Sequence, residues 1–256
     1  MRRLPLILSA LFLSACTQTN FDCSDLEQTI TSNFNQIDSL RDSDRYSDLV
    51  IEYDELIDSL NNELLKNLSV LTEQDRFQSC DLNKSTNFSY QLSADKNFCI
   101  ISWDTRQGGT MIDYTTSVIY KNNKGTFLKT LKYGEPGYED NSKILFDTLV
   151  TLTNKNGRPI YLAYGYGQGS TSLPFRVLKA FMVNDSLIEQ FNLFPDKTSE
   201  LWIQYDYQHW KESDEILDVQ LLNGGRLLKI PVLDDLDRPT GKYYDLTFNG
   251  TEYRQP

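Results

Sequence analysis

The chain has 256 residues, with 36 acidic side chains against 25 basic ones, a formal net charge of −11 and a single histidine. That balance repels nucleic acid and other polyanions, so no nucleic-acid partner is expected, while a cationic partner and a merely solubilising surface both stay open. Four cysteines without a Cys-x-x-Cys pair, beside one histidine, argue against a zinc site, and fifteen tyrosines with thirteen phenylalanines are enough to fill a real core.

Arg2 and Arg3 form a basic head, and Leu4 to Leu13 an apolar stretch of about ten residues, half of what a membrane span needs. The stretch ends in Leu13-Ser14-Ala15-Cys16, which resembles the lipobox of lipoprotein precursors. Residues 1–15 are therefore read as an export signal and Cys16 as the lipid-modified first residue of the mature chain. An ordinary signal peptide with a chance cysteine is the alternative. The resemblance implies attachment to a membrane through Cys16, and Thr17 in place of an aspartate points to the outer membrane, on its periplasmic or its surface face. Losing Arg2 and Arg3 takes the charge from −11 to −13. Residues 16–23 would be the anchor and a short tether.

Ser24-Asp25-Leu26-Glu27 reads as a capping box that starts a helix. Leu26, Ile30, Phe34, Ile37 and Leu40 then recur at helical spacing. After the polar break Arg41-Asp42-Ser43-Asp44 the pattern returns in Leu49, Tyr53, Leu56, Leu60, Leu64 and Leu68, widened by Val50, Ile57 and Leu65. Two stripes across a short break predict an antiparallel hairpin over 24–85, packed on the protein's own sheet or on a coiled-coil partner. Such a hairpin brings Cys23 near the segment after Leu71. In an oxidising compartment this predicts a Cys23–Cys80 disulfide with Cys99 as a spare thiol, the competing pair being Cys80–Cys99.

From about Asn87 the period changes to that of strands, as in Phe98, Ile100 and Ser102 alternating with Cys99, Ile101 and Trp103. Turn signals follow at Asn122-Asn123-Lys124-Gly125, Asn154-Lys155-Asn156-Gly157, Asn184-Asp185, Asn223-Gly224-Gly225 and Asn249-Gly250. About a dozen strands group loosely as 87–133, 143–194 and 198–254. The expected fold class is α+β, a helical hairpin before a large antiparallel β domain over 86–256, arranged as a meander, a sandwich or an incomplete propeller.

Leu92 to Thr105, Gly108-Gly109-Thr110-Met111, Tyr164-Gly165-Tyr166-Gly167-Gln168-Gly169-Ser170 and Tyr243 to Tyr253 together resemble a pattern in uncharacterised exported lipoproteins of Bacteroidota-type bacteria. The resemblance covers much of the sheet region and little of the helices. It implies an all-β envelope domain and carries no activity.

Several groups of residues bear on chemistry. His209, in Gln208-His209-Trp210-Lys211, has no Gly-x-Ser-x-Gly elbow to serve, and Gly169-Ser170 lacks the second flanking glycine. It reads as a surface residue in a strand-end loop. Gly165, Gly167 and Gly169 precede no Gly-Lys-Ser/Thr, so a packed strand end or a bulge is expected rather than a nucleotide cradle. Asp234-Asp235-Leu236-Asp237 and Glu135 to Asp140 lack the calcium-loop spacing, so no metal or other cofactor is expected. Trp202, Gln204 and Asp206 fall on one face of a predicted strand, with Trp210 a few residues on, and rings beside polar groups suit a sugar or a peptide. Core packing is the plainer use of the same residues.

The reading taken from the sequence is a noncatalytic envelope binding module with a protein or glycan partner. A hydrolase acting on an envelope glycan or peptide, and an acidic inhibitor of a basic partner, remain as alternatives. Two or more carboxylates of raised pKa in a pocket would mark the hydrolase, an aromatic-rich face the binder, and a concentrated acidic patch the inhibitor.

Overall fold

The computed structural model describes residues 23–41, 50–80, 82, 88–108, 112–131, 144–188, 191–210 and 216–256. The expected export signal, the expected lipid site Cys16, the Gly109-Thr110-Met111 segment and the acidic run Glu135 to Asp140 lie outside the described residues.

Helix α1 (Cys23–Arg41) begins one residue before the predicted cap and buries Leu26, Ile30, Phe34 and Ile37. Helix α2 (Val50–Ser69) buries Ile57, Leu60, Leu64 and Leu68. Leu56 was expected on that stripe but is 39% exposed, because Ile57, three residues before Leu60 and seven before Leu64, already fills the inward face. Asn67 donates to Asn33 at 2.8 Å, and Cys23 is joined to Cys80 with Cα atoms 5.4 Å apart. Facing residues thus recede along α2 as α1 advances, which makes the pair antiparallel. After α2 a 3-10 segment, Val70–Gln78, bends at Glu73 to Asp75, where Gln74 and Asp75 take left-handed φ of 52° and 58°. Hydrogen bonds to Asp75 from Lys121 and Thr126 hold the bend.

The strands form three antiparallel meanders. Sheet one runs β1 (Phe88–Leu92), β2 (Phe98–Asp104), β3 (Tyr114–Asn122) and β4 (Gly125–Thr130). Sheet two runs β5 (Ile144–Thr153), β6 (Pro159–Gln168) and β7 (Pro174–Val183). The outer edge of β7 is shared by β8 (Leu187–Ile188) and β9 (Glu200–Gln204). Sheet three runs β10 (Gln220–Leu222), β11 (Leu227–Leu233), β12 (Pro239–Phe248) and β13 (Tyr253–Arg254). The one regrouping relative to the sequence concerns residues 200–204, which complete the second sheet instead of opening the third, since they find a free edge on β7.

The layers stack in series. The helices cover one face of sheet one, sharing a core with Tyr90, Cys99, Ile101, Trp103 and Ile119. The opposite face, with Phe98, Ile100 and Val118, packs on Tyr161, Ala163, Val177 and Phe181 of sheet two. The far side of sheet two, with Leu162, Tyr164, Leu178 and Ile203, packs on Leu228, Ile230, Leu246 and Phe248 of sheet three. Alternation along each strand makes this possible, because period-two side chains give every middle sheet two apolar faces. The result is an open stack of propeller-like blades rather than a two-sheet sandwich. Polar stitches fix the layers: Trp103 Nε1 donates to Asn61 of α2 at 2.9 Å, and Phe146 N donates to the buried Ser102 hydroxyl at 3.2 Å.

Candidate binding surface

The two ends of the stack differ in kind. At one end sit the tight turns, at residues 93–97, 122–125, 154–157, 184–186, 223–226 and 249–252. They bond to one another across sheets, Asn122 Nδ2 to Asp185 O at 3.0 Å and Lys155 N to Gly250 O at 2.9 Å. At the other end β2, β6, β9 and β11 finish and β3, β5, β7, β10 and β12 begin; beside the short turns 169–173 and 234–238, this end carries the longer connections, 105–113 and 205–219 among them. Irregular connections on a rigid scaffold are where binding residues concentrate.

Three sheets place aromatic and charged side chains at this loop end. A bulge in β5 falls between Phe146 and Thr148, leaving Asp147 without an opposite residue. The bulge demands Gly165 on β6: a Cβ there would lie 2.5 Å from Leu145 O and 2.9 Å from Phe146 Cα. Beside Gly165, Tyr166 meets Tyr114 of sheet one edge-on at 6.5 Å and carries the Arg176 guanidinium 5.5 Å from its centroid. Arg176 Nε donates to Asp218 at 2.6 Å, and the Tyr164 hydroxyl donates to the same carboxylate oxygen at 3.2 Å. Tyr207 and Trp210 add two half-buried rings, packed edge-on at 4.4 Å, with buried Tyr205 behind them.

Charge in this tract is finely set. Although Asp147 reaches solvent, partial loss of water around it raises its carboxyl above the ordinary value, with Thr148 and Arg176 easing the shift. Burial alone would lower the Arg176 pKa, but the Asp218 hydrogen bond and charge more than offset it, so the guanidinium stays charged. Burial also pushes the Tyr114 phenol up to about 12. Its hydroxyl is therefore a neutral donor and acceptor at physiological pH.

Of the residues singled out from the sequence, Trp202 and Gln204 do share a face of β9, but β9 ends at Gln204, so Asp206 lies beyond the strand. There it caps a short 3-10 turn, accepting from Gln208 N at 2.8 Å and meeting His209 Nδ1 at 3.1 Å. The Trp202 ring turns away from the tract, packs on Phe175 at 5.0 Å and donates to Glu200 at 3.0 Å. Trp210 alone joins the loop-end rings. His209 is exposed in its turn. Asp234 accepts from Leu236 N and from Arg238 N and Nε, and the Arg238 hydrogen bond holds its carboxyl down at about 2. No group of three His, Cys, Asp or Glu could hold a metal among the described residues. Sequence reasoning missed Asp147, Arg176 and Asp218; the available signal was a charge interrupting an apolar strand in Phe146-Asp147-Thr148 and Phe175-Arg176-Val177.

A cleft of about 750 Å³ lies elsewhere, between β9 and the third sheet, floored by Leu201, Tyr244 and Leu246. Its rim carries Arg254, paired with Glu252, and the exposed Lys197. The tract is distinguished from it by aromatic rings that converge from separate elements around the Arg176–Asp218 pair. No family model, no curated protein and no solved structure matches the chain.

Proposed function

We propose that the chain is a noncatalytic binding module, held in the cell envelope by a lipid on Cys16, that recognises a glycan of neutral or amino-bearing sugars at its loop end. The observation that carries this reading is the convergence of Tyr114, Tyr166, Tyr207 and Trp210 with the Arg176–Asp218 pair from separate elements. Rings supply apolar area for the C–H faces of a sugar, and a fork of five N–H donors beside a carboxylate matches vicinal hydroxyls. Nε and Nη1 of Arg176 are engaged by Asp218 and by Phe175 O, which leaves further donors for a ligand. The acids around the tract disfavour an anionic glycan. A hydrolase would want a second carboxylate of raised pKa beside Asp147, whereas Asp218 is committed to Arg176.

Retention on insoluble envelope glycans, chitin and cell-wall sacculi among them, tests the reading. Wild-type chain should be retained and release no fragments, and Arg176→Gln or Trp210→Ala should abolish retention while the chain stays folded at the assay temperature. Release of soluble sugars would replace binding with hydrolysis, and retention indifferent to both substitutions would reject the site. A basic protein segment is the second reading, favoured by the loop-end acids. It predicts complexes that dissociate as salt rises, unlike stacking on neutral sugars.

A further inference from the structure

The charges of this acidic chain are segregated along the strand axis. At the turn end Lys96, Lys124, Lys155, Arg158 and Arg226 are all exposed, and none has an ion pair among the described residues. The acids there are Asp95 and Asp185 on the turns, Asp25 and Glu27 on the first turn of α1, and Glu73, Asp75 and Glu252, which are offset by Arg76, Lys121 and Arg254, so the unpaired cations are in slight excess. At the loop end the balance reverses. Arg106, Arg176 and Arg238 are each charge-paired with an aspartate, and beside the exposed Lys242 the acids Asp147, Asp235 and Asp237 have no ion pair among the described residues.

The chain entry is fixed at one of these ends. Asn61 of α2 donates to Thr105 O at the loop end, and Asp75, after α2, is tied to Lys121 and Thr126 beside the β3–β4 turn. Helix α2 therefore runs from the loop end to the turn end, and antiparallel α1 starts at the turn end. The Cys23–Cys80 disulfide secures that start, five residues past Asp75 on the other strand of the bridge. Six residues separate Cys16 from Cys23, so an anchor on Cys16 lies within roughly 25 Å of α1 even when the link is fully extended.

We infer that the turn end is a membrane-facing surface whose partner is the anionic headgroup layer, and that it holds the strands upright with the loop end pointing away. The inference rests on the lipid anchor proposed above. The tether brings the turn end to the bilayer, and its exposed lysines and arginines meet negative surface potential there. The loop end, left with aspartates, is repelled from the same surface. Net charge alone misses this, because a chain at −11 looks repelled by headgroups all round. Orientation also fits the proposed task, since ligand recognition is placed on the side remote from the bilayer.

The test uses the mature chain, residues 16–256, coupled through the Cys16 thiol to a maleimide lipid in phosphatidylcholine vesicles with or without phosphatidylglycerol. A clickable fluorophore is placed at Asn156 on the turn end or at Leu236 on the loop end, both exposed, and quenched by a headgroup nitroxide. On anionic vesicles quenching at 156 should exceed that at 236 severalfold. The difference should shrink on neutral vesicles, at high salt and in a Lys124→Glu, Lys155→Glu, Arg158→Glu variant. Equal or stronger quenching at 236 would overturn the orientation. A preference for 156 untouched by lipid charge, salt and charge reversal would overturn the headgroup as partner. Chemical coupling keeps this readable if the native anchor is absent, and incorporation of an alkyne fatty acid into the native precursor, lost in Cys16→Ser, tests that anchor separately.

Discussion

Gly165 and Asp147 are two sides of one local event. The bulge pushes β5 so close to β6 that Leu145 O and Phe146 Cα occupy the space of a side chain at Gly165, and both are backbone atoms that cannot swing aside. Gly165→Ala should therefore destabilise by about 1–3 kcal/mol, measured by chemical denaturation, and weaken ligand retention by moving Asp147 and Tyr166. An unchanged midpoint would mean that the strands can separate there. Asp147 predicts the opposite sign for stability. Its carboxyl, held above the ordinary 3.8 by lost hydration, keeps its proton to a higher pH in the folded chain than in the unfolded one. The stability linked to that proton is complete below the unfolded value and is lost as pH rises through the folded value, leaving a penalty at neutral pH. Asp147→Asn should raise the melting midpoint at neutral pH, give no gain in acid, and impair binding if the carboxylate contacts ligand. A lower midpoint at neutral pH would contradict this. The Tyr-Gly alternation was visible in the sequence, and a bulge was among its expected meanings. The identity of the bulged residue was not, because a bulge is defined by the register of two strands and Asp147 lies eighteen residues before Gly165.

At the scale of elements, local periodicity carried far. The α1 stripe is buried at Leu26, Ile30, Phe34 and Ile37 as spaced, because a 3.6-residue repeat has one inward face. In α2 the same rule left a one-residue ambiguity, Leu56 or Ile57, which only contact with sheet one resolves. The Cys23–Cys80 bridge was legible for a similar reason: a hairpin returns the chain to its start. It closes a separation of 57 residues, so Cys80→Ser should cost roughly 4 kcal/mol by restoring freedom to the unfolded chain. Guanidinium melts of oxidised wild type and Cys80→Ser check the figure; a loss under about 1 kcal/mol would show that the helices are held by packing alone. Sheet membership of β9 was not legible. Its five residues pair with β7 across a gap of more than twenty, and no local signal says which free edge a short strand will find.

Across the whole molecule, the convergence of the loop end was the part the sequence concealed. Asp147, Tyr166 and Arg176 sit on neighbouring strands of sheet two, and only the stacking of the sheets brings Tyr114 of sheet one and Asp218, just before sheet three, to them. The same serial stacking predicts how the molecule opens. Layers in series share faces only with neighbours, so the helical layer, at one end, can detach without disturbing sheets two and three. Cys99 reports that event. Its thiol lies under the helices on sheet one, fully buried and pushed up in pKa by burial, so it is inert until the layer lifts. In oxidised wild type a thiol reagent should label Cys99 very slowly. Opening the Cys23–Cys80 bridge with a Cys23→Ser, Cys80→Ser pair should accelerate labelling by up to about a thousandfold, the factor that corresponds to 4 kcal/mol. Amide exchange measured on the same variant should rise in α1, α2 and sheet one while β6, β7, β11 and β12 keep their protection. Acceleration spread evenly over all three sheets would instead make the chain one cooperative unit, with the helices inseparable from the far blades.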